Sequence, residues 1–118
     1  MKSWPRCVRS EPHEPHADVT ITIDYTIDAQ RMLDEADERW ISEHGFLVDN
    51  PLLSEVMHAA DLLRTNPEIG VIVRRGRSEI RRLLLHSGWH LYYRFRAERQ
   101  LIEILAIWFA NRGSGPPL

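Results

Sequence analysis

The stretch SEIRRLLLHSGWHLYYRFR, residues 78–96, constrains the fold more than any other part of the chain. Two runs with strand-like alternation, SEIRRLLLHS and WHLYYRFR, meet at Ser87-Gly88, a pair that predicts a hairpin and hence antiparallel pairing. In the second run Trp89, Leu91, Tyr93 and Phe95 point one way and His90, Tyr92, Arg94 and Arg96 the other, because successive strand side chains alternate. The first face needs an apolar cover. The second leaves an imidazole, a phenol and two guanidiniums on an uncovered sheet surface, to which the neighbouring strand adds Arg82 or Arg81 according to register.

The rest of the chain supplies the cover. VTITIDYTI, from Val19, alternates with Val19, Ile21, Ile23 and Tyr25 on one side, which predicts a half-buried strand. Asp28 can cap a helix running to about His44, with Ala29, Met32, Leu33, Ala36, Trp40 and Ile41 on its apolar stripe and Asp34, Glu35, Asp37 and Glu38 toward water. Gly45 ends it. A second helix opens with Asp49 or Asn50 as cap and Pro51 in the first turn, where a missing N–H costs nothing. Leu53, Val56, Met57, Ala60 and Leu63 form its stripe, and Asn66-Pro67 stops it. A short loop between two helices predicts an antiparallel helical hairpin. VIVRR (71–75) reads as a short edge strand, and RQLIEILAIWF (99–109) as the last strand after a turn at Ala97-Glu98. The order β-α-α-β-β-β predicts an α+β sandwich of two layers, a mostly antiparallel sheet with the helical hairpin on one face. Trp40 and Leu84 are expected in its core.

With 118 residues the chain fits one domain, over residues 19–118, behind a disordered lead-in at 1–18 that carries three prolines and no apolar face. The lone Cys7 permits no internal disulfide and suits a reducing compartment. No apolar run reaches the ~18 residues of a membrane span and no signal-peptide pattern opens the chain, so a cytoplasmic protein that does not enter membranes is expected. His13 and His16 stand beside Pro12 and Pro15 with no third ligand, and the six histidines show no ligand spacing elsewhere. There is no Gly-rich phosphate loop. Neither a metal nor a cofactor is therefore expected. Charge is segregated: residues 1–70 balance at −8 and residues 71–118 at +6, the latter from nine arginines against Glu79, Glu98 and Glu103. Such a half suits anionic partners, and equally a solvated basic face.

The His-Tyr-Arg surface has two readings, an ordinary solvated face or a ribonuclease site with base, phosphate clamp and acid. In the second, Arg82 and Arg94 are the clamp, and only His90, Tyr92 and His86 can exchange a proton, since arginine keeps its charge up to a pKa above ~12.

The residues Pro67-Glu68-Ile69-Gly70, Arg81-Arg82-Leu83-Leu84-Leu85, His90-Leu91-Tyr92-Tyr93-Arg94 and the ending Trp108…Arg112-Gly113…Pro116 resemble the ParE branch of the RelE/ParE toxins of type II toxin–antitoxin modules, also called plasmid stabilisation proteins. The resemblance covers about residues 19–118 and implies the same β-α-α-β-β-β fold. It also implies a cognate antitoxin as partner in a hetero-oligomer, bound by strand addition at 71–75 or by a helix on the helical hairpin. ParE-type members poison DNA gyrase, which implies Trp108, Arg112, Gly113 and Pro116 as the target-binding segment and no catalysis. RelE-type members cleave messenger RNA on the ribosome with a lysine-rich surface. No lysine lies beyond Lys2 here, so that set does not carry over. An RNA-cleaving toxin would rest on His90, Tyr92, Arg82 and Arg94 instead; an inactive binding protein of the same fold and a binding module unrelated to toxins are the remaining alternatives.

Overall fold

The computed structural model describes residues 20–77, 79–109 and 115–118. Its elements run β1 (Thr22–Tyr25), α1 (Ile27–His44), α2 (Pro51–Thr65), β2 (Val71–Arg74), β3 (Ile80–Leu84), β4 (Trp89–Arg96) and β5 (Leu101–Phe109), with one 3₁₀ turn, Ala97–Arg99, before β5. The strands form one sheet in the order β1-β5-β4-β3-β2. β1 runs parallel to β5 and the other neighbouring pairs are antiparallel. This is the expected two-layer α+β architecture, with β2 at an edge. The expected lead-in lies outside the described residues. Among the described residues no helix is long and apolar enough to cross a membrane.

Local chemistry explains the helix ends, with one correction. Thr26, rather than Asp28, caps α1: its backbone is extended and its hydroxyl accepts from Ala29 N at 3.1 Å. Asp28 falls instead in the first turn, where a negative charge complements the helix dipole. Ile27, at the end of the strand-like run, is the first helical residue and is exposed. Gly45 closes α1 at φ 82°, a conformation that suits glycine. Asn50 caps α2 by accepting from Leu52 N at 3.0 Å, and its amide donates to Asp37 Oδ1 at 3.2 Å, tying the two helices together.

The core lies between the helices and the sheet. Leu52, Val56, Ala59 and Leu63 of α2 and Ala29 of α1 pack on Leu91, Tyr93, Ile102, Ile104 and Ile107. The stripe of α2 is rotated from the expected one, since Leu52 and Ala59 are buried while Met57 is exposed. Two further expectations are corrected. Trp40 is half-buried at the hairpin tip, where its indole N–H donates to Val48 O at 2.8 Å and its ring stacks on His44. Leu84 is 65% exposed, because Ile80, Arg82 and Leu84 share the face of β3 that turns away from the helices.

Tyr93 explains one motif. Its buried hydroxyl accepts from Gly70 N at 2.9 Å and donates to Pro67 O at 2.8 Å. A Cβ on Gly70 would stand 2.8 Å from Tyr93 Cε1. Pro67-Glu68-Ile69-Gly70 is thus a collar around a core phenol.

Candidate functional site on the outer sheet face

Register decides which residues share the face turned away from the helices. Arg82 stands opposite Tyr92 and Leu84 opposite His90, so Arg82 joins that face. Arg81 turns to the helix side, where its Nη1 donates to Glu68 O and Gly70 O, both at 2.9 Å. On the other flank of β4 the register slips: Tyr92 pairs with Ala106 but Tyr93 with Ile104, leaving Leu105 as a bulge. Beyond the bulge Trp108 stands opposite His90 on the outer face. It packs, half-buried, against a small cluster of Ile80, Tyr92 and Ala106.

Electrostatics then divide the arginines. Arg94 Nε donates to Glu103 Oε1 at 2.9 Å and Arg96 Nε to the same oxygen at 3.1 Å. Burial pushes the Glu103 carboxyl up, but the hydrogen bonds and charges of the two arginines outweigh it and hold the group below its ordinary value. Arg94, expected as a phosphate clamp, is therefore engaged by a neighbour. Arg82 has no ion pair or hydrogen bond among the described residues. Burial, and then the Arg82 charge, lower the His90 pKa, so the imidazole is neutral at neutral pH. The His90 and Tyr92 rings meet edge-on at 6.1 Å. His86 is away from this face and lines a groove with Ser54, His58 and Leu62 of α2.

The expected open surface is closed at its centre. Tyr92 is only 7% exposed. Gly115 lies against it, since a Cβ there would stand 3.6 Å from the Tyr92 hydroxyl. Leu118 O accepts from Arg74 Nη1 at 3.1 Å. Residues 115–118 thus cross the outer face from β4 to β2, with Pro116 half-buried between these contacts. Arg112 and Gly113 lie outside the described residues. Among the described residues no group of His, Cys, Asp or Glu is assembled to hold a metal ion. Glu103, Arg74 and Thr26 were missed in the sequence. The Arg94–Glu103 pairing follows from the short turn between β4 and β5, which places these residues opposite each other, and is the one signal that was available.

A mixed five-stranded sheet with a helical hairpin on one face is a RelE-like fold. Two solved structures give that likeness its measure. A chain of the intact E. coli RelBE toxin–antitoxin complex is 15% identical, with 78% of this chain and 99% of that chain covered at a TM-score of 0.57. The isolated E. coli RelE toxin is 17% identical, with 80% and 88% covered at a TM-score of 0.54. No family model and no curated protein matches the sequence.

Proposed function

We propose that this protein is the toxin of a type II toxin–antitoxin module, of the ParE-like kind, that inhibits DNA gyrase by binding and is neutralised by a cognate antitoxin. The observation that carries this is how the outer face is committed. Arg94 is held by Glu103 and Tyr92 is buried beneath Gly115. Two of the groups that RNA cleavage would draw on are thus occupied inside the protein. What remains is a binding surface: Arg82 without a carboxylate partner among the described residues, His90, and the Trp108 end of β5. Trp108, Arg112, Gly113 and Pro116 are the target-binding segment in this proposal. The antitoxin has two seats suited to it, the edge of β2 with its exposed Val71, and the groove between α2 and the end of β3 beside Leu62 and His86.

One observation favours a second reading, messenger RNA cleavage on the ribosome: a neutral His90 beside Arg82, which has no ion pair among the described residues, is a base next to a phosphate ligand. Induced expression without antitoxin separates the two. Gyrase-dependent DNA cleavage with purified protein is expected, and a DNA-damage response before translation arrest. Arg112→Ala is expected to relieve growth arrest at least tenfold while His90→Ala leaves most of it, with antitoxin binding measured alongside. Ribosome-dependent messenger RNA fragments, together with loss of arrest in folded His90→Ala or Tyr92→Phe, would replace the gyrase proposal by the nuclease one.

A further inference from the structure

Trp108 reaches the outer face because of one extra residue. Ile102 and Ile104 point into the helix-side core, and strict alternation would send Ala106 and Trp108 after them. The bulge at Leu105 reverses this, so that Ile107 enters the core opposite Leu91 and Trp108 turns outward opposite His90. Hydrophobicity decides the choice weakly. The run Leu105-Ala106-Ile107-Trp108-Phe109 is apolar at every position, so either register buries apolar side chains.

The bulge has a specific clamp. Thr26 N donates to Ile104 O at 3.0 Å, and the single Thr26 Oγ1 proton is shared between Ile104 O at 3.1 Å and Leu105 O at 3.3 Å. The same oxygen accepts from Ala29 N to cap α1. One hydroxyl therefore joins the end of β1, the start of α1 and the irregular point of β5, 78 residues away. A Thr hydroxyl can donate one proton while accepting another, which a carboxylate cannot.

We propose that Thr26 is a positioning residue for the outer face: its hydroxyl holds the Leu105 bulge and so sets Trp108 beside His90. Its functional consequence rests on the proposed role of that face in toxicity. Three variants separate capping from clamping. Thr26→Ser keeps both functions. Thr26→Asp keeps an acceptor for the helix N-terminus but has no proton to donate and sets a negative charge beside two carbonyls. Thr26→Val has neither. The readouts are helix content, the Trp108 resonance in fluorotryptophan-labelled protein (assigned with Trp→Phe variants), the nuclear Overhauser contact between Trp108 and His90, and growth arrest.

Thr26→Ser is expected to match the parent in every readout. Thr26→Asp is expected to keep the helix content while the Trp108 resonance moves, the His90 contact is lost and growth arrest falls at least tenfold. An unchanged resonance and His90 contact in Thr26→Asp would overturn the proposal. If that variant fails to fold, Thr26→Val removes the donor with little change in bulk, and an unchanged Trp108 resonance and contact there overturns it equally. Absence of growth arrest by the parent protein would count against the toxin reading alone, since the resonance still decides the role of Thr26.

Discussion

Tyr93 carries more of the fold than its neighbour Tyr92, although the two look interchangeable in sequence. Its hydroxyl is the acceptor for a buried Gly70 N–H. Tyr93→Phe leaves that donor unsatisfied and is expected to cost about 1–3 kcal/mol in urea unfolding. Gly70→Ala is expected to cost more than Tyr93→Phe, because its Cβ would collide with the Tyr93 ring. On β3 and β4 the contrast is between Leu84 and Leu91. Leu91 is fully buried, and Leu91→Ala should lose about 2–5 kcal/mol as a core truncation. Leu84→Ala should stay within about 0.5 kcal/mol, as expected of an exposed position.

β4 and β5 are joined by charge as well as by backbone pairing, because Glu103 bridges Arg94 and Arg96. The sign of the pH dependence follows from the lowered Glu103 pKa. Its contribution is complete above the unfolded-state value of about 4.3 and is lost as pH falls through the lower folded-state value. Glu103→Gln is therefore expected to lower the urea midpoint at pH 7 and to converge with the parent protein in acid. A gap that persists unchanged in acid would mean the pair is not the source. His90 adds to the same acid limb: its lowered pKa means that the folded protein resists protonation, so stability falls as pH drops below the unfolded histidine value of about 6.5.

Across the whole molecule, the helical layer is acidic and the sheet layer basic, and residues 115–118 lie over the basic side. Gly115 and Leu118 fasten that segment to Tyr92 on β4 and Arg74 on β2. Removal of residues 115–118 is expected to expose the Tyr92 hydroxyl, giving at least a severalfold faster nitration by tetranitromethane at Tyr92 and no change at Tyr93. Equal rates before and after truncation would show that the segment does not protect the face. Arg74→Ala, which removes one fastening only, should give an intermediate rate.

Much of this was legible because it is local. The alternation in residues 89–96 separates two faces, Gly45 and Asn50-Pro51 mark helix ends, and Ser87-Gly88 marks a turn, each through backbone preferences that act within a few residues. His90 was placed on the outer face by that alternation alone, whereas the choice of Arg82 over Arg81 needed the β3–β4 register. Where the chain is apolar on both parities, as from Ile104 to Phe109, alternation carries no information about facing. There a hydroxyl 78 residues away and a one-residue slip against Tyr92 and Tyr93 turn Trp108 outward. The same holds for Leu84, left outside by the β3–β4 register, and for the burial of Tyr92, which is completed by Gly115. Periodicity and caps are short-range properties that a chain carries in its sequence. Register, bulges and the path of a crossing segment are set by hydrogen bonds and contacts that exist only once distant elements have met.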